Sequence, residues 1–491
     1  MKYFIIFPNQ LFKNTTNLKN YDKILLIEDP LYFSDKERVY KFNAIKLVYQ
    51  RGCFKYYENF LKNKNIKTQY YNFDNYKNLV KKIKKENKGE FYTYNPFDKL
   101  LIERYKKDFK IEVIDSPHFV DTEEQLKEYY KSKKNKLFQT SFYSYQRKKL
   151  DILLDKNNKP LGGKLTYDIN NRDKLPKNIK IPEPLKFKDN KYIKEARTYV
   201  KKNIVFIGDL EGTIRFPTNH KDSIKWYKNF LKDRLKKFGQ YQDAITLKYK
   251  DNPFLFHSGI SPAFNVGFLT QQEIIDLIIK EYKKRKLPLN SVEGLIRQII
   301  GWNSFCRAYY VNIDTKIEKN FFNFKRKLND KWYTGDTGIQ IVDDTIKSAF
   351  KNGYLHHIQR LMIILNIMIL CEIDYKEQYR WHMEYSLDSY DYLMIYNIYS
   401  MGYGDGGLTT TKPYISSPAY LLRMSDYSSS GNWTNIWEAL YYNFLDKQKN
   451  KLKKNPRMRA MYIHYNKKTK KELEEYRKIA QKFIKKVTKY G

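Results

Sequence analysis

Five short β-rich runs, KYFIIF, KILLIED, KTQYYNF, EFYTYNP and KIEVIDS, fall within residues 1–116, separated by amphipathic, lysine-rich segments. One of these, KFNAIKLVYQRGCFKYYENFLKNK, carries its apolar residues at helical spacing. Strand, helix, strand in repeated order predicts a parallel sheet, because parallel neighbours are joined by a crossover that packs on one face. Such sheets gather ligands at the carboxyl ends of their strands, here near Pro8-Asn9-Gln10 and Glu28-Asp29-Pro30. There is no GxGxxG within residues 1–116, which argues against a nicotinamide-type phosphate loop in this sheet.

Beyond this region the pattern changes. Residues 117–190 are polar, and NKPLGGKLTYDINNRDKLPKNIKIPEP is rich in Gly, Pro, Asn and Lys. This segment reads as a linker laid over the surface. From 191 to 491 strand signals nearly vanish and long helical patterns follow, such as TQQEIIDLIIKEYKKRK and SVEGLIRQIIGWNSFCRAYYVN. The expected architecture is therefore an α/β domain over 1–116, an interdomain linker over 117–190 and a large all-α domain over 191–491. The charged, periodic end, KKTKKELEEYRKIAQKFIKKVTKYG, predicts a solvated terminal helix.

Composition narrows the partners. The chain is 42% hydrophobic and 16% aromatic, well above a disordered chain, and its 93 Lys and Arg against 54 Asp and Glu give a formal charge of +39. That excess favours polyanions, with nucleic acid ahead of an anionic membrane surface. Cys53, Cys306 and Cys371 lie far apart without CxxC spacing, so neither a disulfide framework nor a four-cysteine metal site is expected. MKYFIIFPNQLFKN is broken by proline and reads as a first strand rather than a signal peptide. The longest apolar run, LMIILNIMILC, contains Asn366 and is too short to span a bilayer. A soluble, intracellular monomer without a membrane partner is the expectation.

Two stretches carry chemistry. In FLFHSGISPAFNVGFL, Ser258 and Ser261 precede Pro262 and a new helix. Hydroxyls and free backbone N–H groups at a helix start form a phosphate cradle, although the same letters describe an ordinary cap with proline at the first helical position. In YLHHIQRLMIILNIM, His356 and His357 stand at the mouth of an apolar helix, with Arg360 one turn later.

The order of these parts, followed by IRQIIGW, HHIQRLM and DSYDYLMIYN, resembles the photolyase and cryptochrome family. GGKLTYDINNRDKLP is similar to the GGKWNFDxxNRxxLP segment of the bacterial (6-4) photolyase branch, with Leu165 and Thr166 departing. DGGLTTTKPYISSPAYLLRMSDY looks like another of its motifs. The resemblance implies FAD inside the helical domain, with Tyr241, His257, Ser258 and Ser261 around its phosphates and ribitol. Trp302 would pack near the cofactor, Arg360 would pair with Asp388 beside the isoalloxazine, and Tyr390 would also contact it. Met394 falls where relatives place a polar or acidic group near flavin N5, and a thioether cannot donate a hydrogen bond there.

The resemblance also implies UV-damaged DNA as partner and a flipped photoproduct as substrate. HHIQR is similar to the HHLAR of animal (6-4) photolyases, whose second histidine faces the lesion; that position is His357, with His356 supporting it and Leu361 where those enzymes carry a further histidine. Imidazole gives and takes protons near neutral pH, as reversal of the transferred hydroxyl or amine requires. Tyr414, Tyr420 and Gln298 match lesion-pocket positions, and Trp381, His382, Tyr399 and Trp332 match places of electron-transfer residues. The branch's iron–sulfur cluster needs four thiolates, but its ligand positions are Ile341, Ser428, Gly431 and about Asn435. No cluster is expected. A ribityl-lumazine or other antenna chromophore is implied near Glu28 and Asn9. The implied activity is light-driven repair by a (6-4)-type DNA photolyase; the alternatives are a cryptochrome-like photoreceptor without repair and a flavin-less basic DNA-binding derivative.

Overall fold

The β-rich runs form β1 (Lys2–Ile6), β2 (Lys23–Ile27), β3 (Thr68–Tyr71), β4 (Glu90–Tyr94) and β5 (Glu112–Ile114). They make one parallel sheet in the order β3-β2-β1-β4-β5, with Ile5 of β1 paired to Leu25 on one side and Thr93 on the other. Phe4, Ile5, Ile6, Leu25, Leu26 and Ile27 are buried regardless of the face they point to, because helices cover both sides. The crossovers are α1 (Ala44–Lys62), α2 (Tyr76–Glu86) and α3 (Lys99–Phe109). The computed structural model describes residues 1–250, 252–313 and 319–490.

The segment read as a linker is more ordered than its polarity suggested. It contains α4 (Glu123–Ser132), opened by a Thr122–Gln125 capping box, and α5 (Gln139–Lys149). Phe142 and Tyr143 are buried, and a Cβ on Gly301 would come within 2.8 Å of the Tyr143 ring, so only glycine allows this approach. Sparse apolar positions among Lys and Gln hid these helices from the sequence pattern. Residues 151–190 do run largely over the surface.

Among the described residues the remainder is mainly helical, with one antiparallel strand pair, β6 (Arg326–Leu328) with β7 (Thr488–Tyr490). The terminal helix, Lys470–Val487, is solvated on one face only. Ala480, Phe483, Ile484 and Val487 are buried, with the helix packed against Trp433–Lys447. Among the described residues no helix is long and apolar enough to cross a membrane.

The α/β sheet docks on the helices through α1. Asn43 caps it, accepting from the Ile45 N–H and donating to the Phe350 carbonyl at 2.8 Å. Buried Lys46 donates to the carbonyls of Met383 (2.6 Å) and Ser389 (3.3 Å), on either side of Asp388.

Candidate active site

A cleft in the helical part has an empty volume of ≈ 1070 Å³, counting its open mouth. Two of its walls are π-helical turns, Arg297–Asn303 and Gln359–Leu365. The wider i→i+5 turn is rare and recurs at functional sites, because it re-aims side chains that an α-helix would turn away. The first places Gln298, Trp302 and Asn303 on the cleft, and the second places Arg360 there.

Arg360 donates to Asp388 at 2.8 Å and to the Leu355 carbonyl at 3.1 Å. Burial works against both charges. Arg360, Ser261 and Ser386 outweigh it at Asp388 and hold that carboxyl below the usual range, while Asp388 keeps Arg360 firmly protonated. Ser261 donates its hydroxyl to Asp388 at 2.6 Å. Ser261 lines the cleft and, through this bond, also supports the ion pair. Ser258 remains on the cleft, its hydroxyl accepting from the Ile260 N–H at 3.3 Å.

Three imidazoles meet in the same wall. His257 stacks on His356 with centroids 4.4 Å apart, and His357 lies edge-on to Trp302 at 5.6 Å. The Ile358 N–H donates to His356 Nδ1, which fixes that ring's tautomer. Burial, then Arg360 and Arg297, push His357 down to about 4. Burial and His357 push His257 to about 4, and His356 lies well below its ordinary value. All three are therefore held neutral at pH 7.

Several cleft atoms are buried without a hydrogen-bond partner among the described residues: His257 Nε2, Asn265 Oδ1, Trp302 Nε1, Asn303 Oδ1 and Arg360 Nε. Buried polar groups left unpaired cost roughly 1–3 kcal/mol each, so this wall suits a ligand with both donors and acceptors. Asn265 and Asn303 escaped the sequence reading; only their closeness to Ser261 and Trp302 in sequence signalled them.

Residues 4–214 match the family model of deoxyribodipyrimidine photo-lyase-related protein, and residues 296–437 that of the FAD binding domain of DNA photolyase. The (6-4) photolyase of Agrobacterium fabrum is 32% identical over 358 residues, 70% of this chain and 70% of that protein. The chain belongs to the photolyase–cryptochrome family. A Synechocystis cryptochrome shares the fold with a TM-score of 0.57 at 13% identity, over 97% of this chain and 93% of that one. A bacterial class III photolyase from Agrobacterium tumefaciens does so at 0.55 and 13%, over 95% and 98%.

Within this photolyase-like frame, not every expected residue reaches the cleft. Tyr241 is off its wall, packed on Phe256 with centroids 5.6 Å apart. Met394 is fully buried, and Leu393 lines the cleft instead. Tyr390 faces the opposite way, toward a small cavity shared with Tyr32, Lys46 and Gln50 of the α/β part. Tyr414 and Tyr420 are half-buried outside the cleft, where Asp168, Arg172 and Asp243 set their electrostatic surroundings. Arg297 links that region to the cleft, pairing with Asp168 at 2.9 Å and acting on His357.

Trp381 and His382 are neighbours, with ring centroids 5.1 Å apart, but Trp332 meets Trp381 only through its carbonyl, which accepts from the Trp381 indole at 2.7 Å. Tyr399 packs on Tyr375 at 5.6 Å and makes no ring contact with Trp381.

At the positions assigned to two further groups implied by the resemblance, the side chains are engaged elsewhere or lack the ligating atom. Glu28 is taken up by Arg51 at 2.7 Å, Tyr70 at 2.6 Å and the Phe73 N–H, and Asn9 by Tyr32 and the Pro96 carbonyl, so neither offers a free group to an antenna. At the cluster positions Ile341 is core, Ser428 accepts from the Ser430 N–H, and Gly431 and Asn435 carry no thiol. No group of three or more His, Cys, Asp or Glu among the described residues is placed to hold a metal.

Proposed function

We propose that this chain is a light-driven DNA-repair flavoprotein of the (6-4) photolyase type, acting on a photoproduct flipped out of UV-damaged duplex. The observation that carries the reading is that His357 shares one cleft wall with the Arg360–Asp388 pair and the unpaired donors and acceptors around it. Reduced FAD, when bound, supplies the electron that breaks the lesion's cross-link. The Arg360–Asp388 pair would hold the cofactor, and Asn265, Asn303, Trp302 and His257 would offer it their unpaired polar atoms. His357 holds the proton. Burial, Arg360 and Arg297 hold its imidazole neutral to about pH 4, and the negative charge of DNA phosphates would raise its proton affinity. Gln298 extends the contact toward the base, and Tyr414 and Tyr420 receive it at the cleft's approach. Extruding a damaged base is cheap because it stacks weakly.

The test is an absorption spectrum, an iron analysis and a repair assay on the purified protein. Flavin bands, background iron and blue-light repair of a (6-4) duplex are expected. A colourless protein without extractable flavin overturns the reading. Flavin without repair of that lesion transfers the protein to the photoreceptor class.

A further inference from the structure

From Lys447 to Lys471 the chain carries eleven Lys and Arg and no acid, although Asp and Glu number 54 overall. Much of this stretch is helical: Lys449–Leu452, the turn Pro456–Met458, Arg459–Asn466 and the start of the terminal helix. Its apolar side chains face inward. Leu452, Met458, Tyr462 and Tyr465 are buried, and the two phenols donate to the Leu445 carbonyl at 3.2 Å and to Asp446 at 2.6 Å. The cations face outward, with Lys453, Lys454, Arg457, Arg459, Lys467 and Lys470 all exposed. Among the described residues the stretch forms two ion pairs, Lys447 with Glu372 and Lys468 with Glu472. The rest of its charge is unanswered. This surface joins the approach to the cleft, because Asn455 donates to the Thr411 carbonyl at 2.9 Å, three residues before Tyr414. Trp437, on the helix that leads into the stretch, donates to the Ser416 carbonyl at 3.0 Å and clamps the same loop. Between the two lies Lys412, half-buried. Burial, then the charge of Arg457, pull its ammonium below the ordinary value. Neither cation has a carboxylate partner among the described residues, and two like charges at such a seam call for an anion between them.

We propose that this acid-free strip, with Lys412 and Arg457 at its head, is a docking surface for the phosphate backbone of the duplex flank beside the cleft. The inference rests on the DNA-repair reading above and adds to it a second contact, blind to damage, outside the cleft. The platform is ordered by its own buried side chains, so docking DNA does not have to fix it. Helix Arg459–Asn466 has 8 residues. At 1.5 Å per residue it is about 12 Å long, which faces roughly three to four base pairs at 3.4 Å each. An anionic membrane is the other polyanion to weigh. Helices that lie on a membrane insert an apolar face, whereas here Ile463 is the one exposed large hydrophobic between 447 and 471 among the described residues. A phosphate backbone fits this surface and a lipid surface does not.

The test uses the full chain, an undamaged duplex and a duplex with a (6-4) lesion, each titrated across salt. The strip variant combines Lys453→Gln, Lys454→Gln, Arg457→Gln and Arg459→Gln. A control removes the same charge from the exposed face of α2, through Lys77→Gln, Lys81→Gln, Lys82→Gln and Lys85→Gln. The strip variant should bind both duplexes at least about tenfold more weakly at low salt and flatten both salt slopes by about 2, as two lost phosphate contacts require. The control should keep the parent's slopes. Lengthening the lesion duplex on one side should raise the parent's affinity and leave the strip variant's unchanged. Melting curves show whether each variant folds. Lys412→Gln alone, which spares the helices, should flatten the slope by about 0.9 and keeps the test open if the fourfold variant does not fold. Unchanged slopes in the strip variant and in Lys412→Gln, or an equal loss in the control, overturn the surface; a preference for damage would leave the repair reading standing. Flattened slopes in a protein without that preference support the surface and remove the repair reading. Loss of binding to phosphatidylglycerol vesicles with duplex binding intact would assign the strip to lipid and overturn the proposal.

Discussion

His357 is held neutral down to about pH 4, by burial first and then by Arg360 and Arg297. Replacing it with asparagine keeps a polar side chain and removes the titrating group. Flavin content should survive, because on the proposed reading the ion pair and the asparagines, not His357, would hold the cofactor. Affinity for damaged duplex should fall by no more than about tenfold, since one neutral hydrogen bond is worth ~1 kcal/mol. Blue-light repair should fall by at least about 10²-fold, the lower end for losing a positioned general acid. Wild-type repair by His357→Asn would remove the proton-donor role. The imidazole was legible in the sequence because a histidine pair stands out in a chain with only seven. Lys412 was not. It is one lysine among many, and only the fold brings Arg457 beside it.

Elements set how far those side chains can be aimed. Short continuous β-rich runs and a 3.6-residue period exposed the five strands and the helical remainder, since burial on both faces of a sheet or on one stripe of a helix leaves a mark on composition. The π-helical turns at Arg297–Asn303 and Gln359–Leu365 leave no such mark, because one additional residue per turn only blurs the helical period. Contacts between elements are equally silent. Lys46 reads as one of many lysines on an amphipathic helix, yet its ammonium is buried and grips the backbone around Asp388. Burial lowers its pKa to about 7, with Asp388 and Glu384 opposing. Lys46→Met keeps the length and removes both hydrogen bonds. Two buried carbonyls then lose their donor, at roughly 1–3 kcal/mol each. The melting temperature should fall, and flavin affinity should fall with it as the Asp388 loop loosens. An unchanged melting curve with unchanged flavin affinity would show that α1 does not hold that loop.

At the scale of the whole molecule the formal charge of +39 dominates any encounter with DNA, and it acts separately from the cleft. Lysines and arginines that neutralise phosphates release condensed counterions, so the logarithm of the binding constant falls with the logarithm of salt at a slope of about −0.9 per phosphate contact. This contribution is blind to sequence and to damage. Flipping and seating a photoproduct draw instead on weakened stacking and on cleft contacts, which exchange few counterions. Damaged and undamaged duplexes should therefore give two steep, nearly parallel lines in a binding titration across salt, the damaged one higher throughout. Charge reversal at Lys467, Lys468, Lys470 and Lys471 should lower both lines together and flatten both slopes if the start of the terminal helix touches phosphate. Lines that coincide at every salt concentration would leave a basic DNA-binding protein with no lesion pocket. Lines that converge as salt rises would place the preference for damage in the charge rather than in the cleft around His357.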